Sequence, residues 1–457
     1  MRRWDALKVS RLAGARLLAA PPAGGSGPER ATIDSRDAGP GALFVGLPGE
    51  HVHGGSFAPA AVAAGAWGVL TTPEHAEATL ATITGPARPV IVSAADPLDA
   101  LQRLATGWRR ELGAQVIGIT GSTGKTSTKD LLAAVLSPHR LTVASRANFN
   151  TEIGLPLEIL AAPAGTEVLV LEMGMRGAGQ IAELARVAEP DVGVIVSIGP
   201  VHLEQLGTIE AIAATKAELI AGLPTGGTAV LPADEPLLEP HRRRDVSTLT
   251  FGPGGDVTIV GESEDGVAID CAGERLSLIV DFSESHLRHD LLAAVAAAKA
   301  VGVTAGGRLR VALSPGRGQR TLLPGDVTLI DDAYNANPVS MRAALDELAA
   351  TAERLGGRPR RVAVLGDMRE LGDDARSYHA EIGAHATATA DVLVTVGPLA
   401  ASMADRFGGE HHHAGDAAEA AAVVSTLLHD RDVVLVKASN AVGLQRVCEV
   451  LRAGAPA

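Results

Sequence analysis

Apolar and polar positions along the chain fall into two alternating regimes. Short continuous runs rich in Val, Ile and Leu occur at 116–120, 167–171, 192–198, 362–365, 391–396 and 433–436. Between them lie Ala-rich stretches, such as 97–111, 209–220 and 291–301, which read as helices. A strand with one wet face would alternate apolar and polar residues, so unbroken apolar runs predict strands buried on both faces. Buried strands separated by helices predict an α/β protein built on parallel sheets. Residues 245–279 differ: Gly-rich turns and alternation, as in Val257-Thr-Ile-Val260, predict an antiparallel excursion. No short-period repeat is visible. At 457 residues the chain is too long for one ordinary core. Breaks in the pattern near 112–115 and in the Gly-containing segment 302–310 divide it into three domains, 1–112, 113–308 and 309–457.

Composition narrows the function. Aromatics are only 2% of the residues, so the cores must be built from Ala, Val, Leu and Ile. Lys and Arg number 40 against 53 Asp and Glu, a net charge of −13, which excludes a general nucleic-acid binder. No apolar run reaches the roughly 18 residues of a membrane span. Arg11 and Arg16 interrupt the N-terminal apolar stretch, so no signal peptide is expected and the location expected is cytoplasmic. Cys271 and Cys448 stand alone, which argues against a disulfide framework or a thiolate zinc site. Any phosphate must therefore be bound locally, by oriented N–H groups, a few cations and a metal ion.

Such a place stands at Val116-Ile-Gly-Ile-Thr-Gly-Ser-Thr-Gly-Lys-Thr126. A strand runs into a Gly-rich turn and then into a helix beginning near Lys125. Gly121 and Gly124 let the backbone curl its N–H groups inward, and the helix N-terminus adds its positive end. Gly121, Ser122, Thr123, Gly124, Lys125, Thr126 and Ser127 are the residues expected at a nucleotide triphosphate. Lys125 supplies charge to the phosphates, and the Thr126 hydroxyl is a Mg²⁺ ligand. The strict pattern GxxxxGK[ST] is not met, because position 119 is Ile119. Glu172 and His202 follow buried strands at the edge where ligands collect in such sheets, and a carboxylate and an imidazole there suit a Mg²⁺ site. Lys216, on the helical pattern 209–220, reads by itself as a surface lysine. The triplet 411–413, three histidines in a polar Gly-rich stretch, reads as a solvated loop.

Taken together and in order, these segments resemble the Mur ligase family. Gly118-Ile-Thr-Gly-Ser-Thr-Gly-Lys-Thr126 is similar to its GxTGxxGKT loop, which accounts for the displaced glycine. Glu172-Met-Gly-Met resembles its metal-binding glutamate motif. His202-Leu-Glu-Gln-Leu-Gly207 and Ala214-Thr-Lys-Ala-Glu-Leu219 resemble its histidine and carbamylated-lysine segment. Asn148-Phe-Asn-Thr-Glu-Ile-Gly-Leu-Pro156, Asp332-Ala-Tyr-Asn-Ala-Asn-Pro338 and Val364-Leu-Gly-Asp-Met-Arg-Glu-Leu-Gly372 look like the branch that adds D-alanyl-D-alanine. Asp34-Ser-Arg36 with 40–46 resembles the UDP-substrate domain.

The resemblance implies three domains: a UDP-sugar-binding domain, a central ATPase domain with a P-loop-type parallel sheet, and a Rossmann-like C-terminal domain. It implies ATP and Mg²⁺ as cofactors, a carbamate on Lys216, and a metal set of Thr126, Glu172, His202 and Lys216. It implies catalysis by Lys125, Lys216, His202 and Glu172, with Arg317 and Asp332 reaching ATP from the C-terminal domain. Ser35, Arg36, Asn148, Asn150, Thr151, Asn335 and Asn337 become substrate contacts. The substrates implied are a UDP-muramoyl tripeptide and D-alanyl-D-alanine, joined through an acyl phosphate by a monomer.

Four segments depart from the family pattern. HNxxN reads His286-Leu-Arg-His-Asp290, the Asn before an acidic pair is Ala233, KGSR reads Lys437-Ala-Ser-Asn440, and a DGHDF-like segment reads His53-Gly-Gly-Ser-Phe57. They keep open a paralogue with altered substrates, such as a specialised-metabolite or depsipeptide ligase. A folylpolyglutamate synthetase shares the ATP chemistry, but 332–338 and 366–372 count against it. A non-catalytic nucleotide binder would have no need of Lys125, Glu172, His202 and Lys216 together.

Overall fold

The computed structural model describes residues 1, 3–21, 26–84, 89–146, 148–263, 266–282 and 284–454. Its strands form three sheets, within 16–93, 115–308 and 319–437. In the first, Arg16–Ala19, Val90–Ser93, Gly68–Thr71, Ala42–Val45 and Arg30–Thr32 lie side by side, parallel except for Arg16–Ala19. The second has ten strands, with Gln115–Thr120 between Val168–Glu172 and Val192–Ile195, all parallel. The third runs parallel except for its edge hairpin partner Gln319–Leu323.

The apolar runs do what their patterning requires. In the strand Val168–Glu172, Val168 and Val170 face one core while Leu169 and Leu171 face another. Val116 likewise points opposite to Ile117 and Ile119 in the split between those two cores. One face is covered by the helices Lys125–Leu136 and Ser285–Ala300, which pack together. In the latter helix a run of alanines and leucines is buried, and the small side chains let it lie close to the sheet.

The helix Pro97–Leu112 is fixed at both ends. The Asp96 carboxylate accepts from the N–H groups of Leu98 and Asp99, Pro97 opens the first turn, and Gly113 ends it in the left-handed region at φ 65°. Its Leu101, Leu104 and Trp108 belong to one continuous core with Leu43 and Val45 of the first sheet and Leu169 and Leu171 of the second. The first two sheets are thus joined by shared apolar burial. The two cores flanking the third sheet contain only residues from 323 onward.

Three expectations are corrected. The antiparallel excursion begins at Val257, not at 245: Ser247–Phe251 pairs in parallel with Thr228–Pro232, and only 257–279 runs antiparallel. Residues 411–413 are not a loop but part of the edge strand Glu410–Ala414, paired with Val392–Val396. An edge strand needs an apolar inner face only where it is covered, and the Thr395 hydroxyl bonds both the His411 and His413 rings at 3.0 Å. Lys216 is not at the surface: it is 2% exposed, inside a helix whose neighbours are apolar on most sides. No helix among the described residues is long and apolar enough to cross a membrane.

Candidate active site

The phosphate loop lies between the strand Gln115–Thr120 and the helix Lys125–Leu136. It is held against the segment after the neighbouring strand. Ser122 donates its N–H to the Ser197 carbonyl at 2.9 Å and its hydroxyl to the Gly199 carbonyl at 3.0 Å. Thr123 donates its N–H to Ser197 Oγ at 2.9 Å. Gly124 has no substitute here: its φ is +78°, and a Cβ would stand 2.3 Å from Asp290 Oδ1. Lys125 folds back to donate to the Gly121 carbonyl at 2.7 Å. Loss of hydration pulls its amine below the usual lysine range, against the attraction of Glu172. Ser127 is buried two residues further along the helix.

Thr126, Glu172, Asn150 and Arg317 meet at one point. The Thr126 hydroxyl donates to Glu172 Oε2 at 2.8 Å, and Asn150 Nδ2 donates to Glu172 Oε1 at 2.8 Å. Ser145 Oγ accepts the Glu172 N–H at 3.0 Å, fixing the carboxylate at the strand end. From the third sheet's side, Arg317 donates to Thr126 Oγ1 at 3.1 Å and lies over the Tyr334 ring at 4.1 Å. Its buried Nε has no hydrogen-bond partner. A buried guanidinium N–H without a partner beside the phosphate loop fits an anion. Cationic Lys125 and Arg317, set against one carboxylate, make the point suited to phosphate and a hard cation.

Lys216 is pushed well below the usual lysine range, first by burial and then by the nearby Lys125 charge. A neutral amine is a nucleophile, and it takes up CO₂ where an ammonium does not. His202 makes no hydrogen bond to Glu172 or Lys216. It stands in the left-handed region at φ 55°, ahead of the short helix Leu203–Leu206, with its Nδ1 bonded to the Glu370 carboxylate. That bond holds the Glu370 carboxyl below its usual range, against its partial burial and with help from Arg176. Among the described residues no group of three or more His, Cys, Asp and Glu side chains converges.

The remaining expected residues are more dispersed. Asp332 accepts from Lys437 Nζ at 2.5 Å, and Lys437 also donates to the Asn335 carbonyl at 3.0 Å. The Asn335 side chain accepts the Ala336 N–H at 2.9 Å. Asn337 caps the helix Pro338–Leu355 in a capping box with Ser340, so its carboxamide oxygen is engaged. Asn440 accepts from Gln445 at 3.0 Å. Asn148 is exposed, and Thr151 accepts the Gly154 N–H at 3.3 Å, supporting the start of the helix Gly154–Ala161. Ser35 and the exposed Arg36 sit in a short turn, where the Arg36 guanidinium and N–H hold the Asp34 carboxyl down at about 2. His53 accepts the Gly55 N–H at 3.0 Å and stacks on His75 at 4.1 Å.

Four participants had no role in the sequence reading. Tyr334 and Glu370 lie inside motifs quoted for the resemblance, but a motif does not say which side chain crosses to the other unit. Lys437 was noted only as the start of the segment 437–440, which lacks an arginine at Asn440. Asp290 was noted only as a lost asparagine.

Comparison with known proteins shows the family. Residues 30–109 match the model of the Mur ligase family catalytic domain, 119–298 the Mur ligase middle domain, and 316–440 the Mur ligase glutamate ligase domain. The UDP-N-acetylmuramoyl-tripeptide--D-alanyl-D-alanine ligase of Synechocystis sp. is 38% identical over 437 residues, covering 93% of this chain and 92% of that one. The crystal structure of MurF from Acinetobacter baumannii superposes with a TM-score of 0.86 at 26% identity, covering 98% and 99% of the two chains. MurF ligase from Thermotoga maritima, in complex with ADP, gives 0.78 at 29% identity, covering 93% and 97%. With a phosphate loop, a buried lysine and a strand-end glutamate set among three matched domains, the chain belongs to the Mur ligase family.

Proposed function

We propose that this protein joins D-alanyl-D-alanine to a UDP-N-acetylmuramoyl tripeptide with ATP, in cytoplasmic peptidoglycan precursor synthesis, with domains divided near 112/113 and 308/309. The observation that carries the reading is the meeting of Thr126 and Glu172 with Arg317 at the end of the phosphate loop. The tripeptide carboxylate oxygen attacks the γ-phosphorus, ADP leaves, and an acyl phosphate forms. The dipeptide amine then attacks the acyl carbon and loses a proton, and phosphate leaves from the tetrahedral intermediate. Two anions must approach in the first step, so the main barrier is electrostatic. Lys125 and Arg317 offset that repulsion, and the N-terminus of the helix Lys125–Leu136 favours the phosphates.

The donors present fit Mg²⁺: a hydroxyl and a carboxylate 2.8 Å apart are hard oxygen ligands. Thr126, Glu172, His202 and a carbamate on Lys216 would hold it. Bound there, it would supply positive charge between the phosphates and the attacking carboxylate. The burial of Lys216, which disfavours its ammonium form, supports carbamylation, since the free amine cannot serve a hard cation and its carbamate oxygens can.

The reading is tested by ADP release. Turnover should require both the UDP-muramoyl tripeptide and D-alanyl-D-alanine, and Lys125→Ala should abolish it in a folded protein. Ligation of a depsipeptide or another amine in place of the dipeptide would favour the altered-substrate paralogue suggested by Asp290 and Asn440. The carbamate has its own test. ¹³C-bicarbonate should give a carbamate resonance in wild type that is absent from Lys216→Ala; its absence from active wild-type protein would remove the carbamate from the scheme.

A further inference from the structure

The contact between His202 and Glu370 joins the unit of the central sheet to that of the third sheet, across 168 residues of sequence. At partial exposure, an ion pair of this kind is ordinarily worth little. The surroundings of Glu370 are unlike those of a casual pair. The segment that carries it is tied down on its own side. Asp367 Oδ1 accepts the N–H groups of Leu399 and Ala400 at 2.9 and 2.8 Å. Met368 donates its N–H to His379 Nε2 at 2.9 Å, and Arg369 donates its N–H to Ser439 Oγ at 2.9 Å. Both partners hold left-handed backbone, φ 55° at His202 and φ 63° at Glu370, which non-glycine residues keep only where their surroundings impose it. The backbones also meet, with the Glu204 N–H directed to the Glu370 carbonyl at 3.4 Å. Glu370 is thus presented to His202 from a rigid base.

The chemistry of imidazole gives the contact a consequence. A neutral ring that donates Nδ1–H to a carboxylate keeps its lone pair on Nε2, and a histidine held in this way is a better oriented and more basic metal ligand. We propose that Glu370 is a positioning residue that fixes His202 in the Nδ1–H tautomer for a divalent cation, so that this ligand is set only when the two units meet. The inference rests on the reading of His202 as a metal ligand given above.

The test uses the full chain with saturating ADP and Mn²⁺ as the probe, followed by electron paramagnetic resonance of free Mn²⁺. Glu370→Ala should weaken Mn²⁺ binding about tenfold or more. Glu370→Gln should recover most of the loss, because its amide oxygen still accepts Nδ1–H and its backbone demands are similar. The double variant His202→Ala/Glu370→Ala should bind no more weakly than His202→Ala alone. In ¹⁵N-histidine spectra, the resonance missing from His202→Ala should leave the Nδ1–H tautomer in Glu370→Ala but not in Glu370→Gln. Wild-type Mn²⁺ affinity in Glu370→Ala, with His202→Ala weakened, would overturn the positioning role and leave the ligand reading standing. So would losses that add in the double variant. Unchanged affinity in His202→Ala would overturn the ligand reading and the proposal with it.

Discussion

Asp290 shows how one side chain can depart from a motif and still serve its place. It is 4% exposed, against Gly124 of the phosphate loop, where the family pattern has an asparagine. Burial raises its carboxyl well above the usual range, and the Arg317 charge only partly opposes this. In its protonated form the acid offers an O–H donor and a carbonyl acceptor, the two kinds of group an amide offers, without a negative charge beside the phosphates. Keeping that proton makes stability depend on pH. The folded state binds the proton more tightly than the unfolded state, whose carboxyl titrates near 3.8. Stability therefore falls as pH rises from that value toward the raised folded pKa. Asp290→Asn removes this dependence. The variant's melting temperature relative to wild type should rise steadily from acid to neutral pH, in protein without nucleotide. A difference that stays flat with pH would mean that Asp290 is ionised in the fold. The sequence shows the replacement; the protonation depends on burial that only the packed helix Ser285–Ala300 supplies.

At the scale of elements, legibility followed the strength of the local pattern. The strand Gln115–Thr120, the helix Lys125–Leu136 and the strand Val433–Lys437 were readable because their apolar content has one structural meaning. The strand Glu410–Ala414 was not, because three consecutive histidines carry no apolar signal, and its place is set by pairing with Val392–Val396. The helix Ile209–Ala221 was found, but not the direction in which Lys216 points. Its apolar residues surround the helix instead of forming one stripe, so periodicity could not assign a buried face. The start of the excursion was misplaced because Ser247–Phe251 alternates like an antiparallel strand while lying at the end of a parallel run. The site followed the same division. The loop and the strand-end Glu172 are local features and were legible. The Thr126–Arg317 and His202–Glu370 contacts join segments 191 and 168 residues apart and were legible only through the resemblance or not at all.

At the scale of the whole molecule, the three units are joined in two physically different ways. The first two sheets share an apolar core through the helix Pro97–Leu112, which resists separation because parting them would expose it. The third sheet keeps its cores to itself and meets the central unit through polar contacts. Among the described residues these include Ser314 N–H to Asp130 at 2.8 Å, Arg317 to Thr126 at 3.1 Å, Arg320 to Glu284 at 2.5 Å, His202 to Glu370, and the Glu204 N–H to the Glu370 carbonyl at 3.4 Å. Polar contacts can be exchanged for water at small net cost, so this is the junction suited to opening for substrates and closing over a water-sensitive acyl phosphate. Of these contacts, that of Arg317 reaches the phosphate loop and leaves a buried N–H for a ligand. Arg317→Ala should therefore raise the dissociation constant of ATP about tenfold or more, the effect of losing a charged hydrogen bond of roughly 2 kcal/mol. The thermal stabilisation produced by a fixed ATP concentration should shrink accordingly. Arg317→Lys should fall between the two, since it keeps the charge but loses the planar stacking on Tyr334. Calorimetric titration of ATP into the three proteins measures this directly. Equal affinities would mean that the nucleotide is held by the central unit alone, and that the third sheet closes over it without binding it.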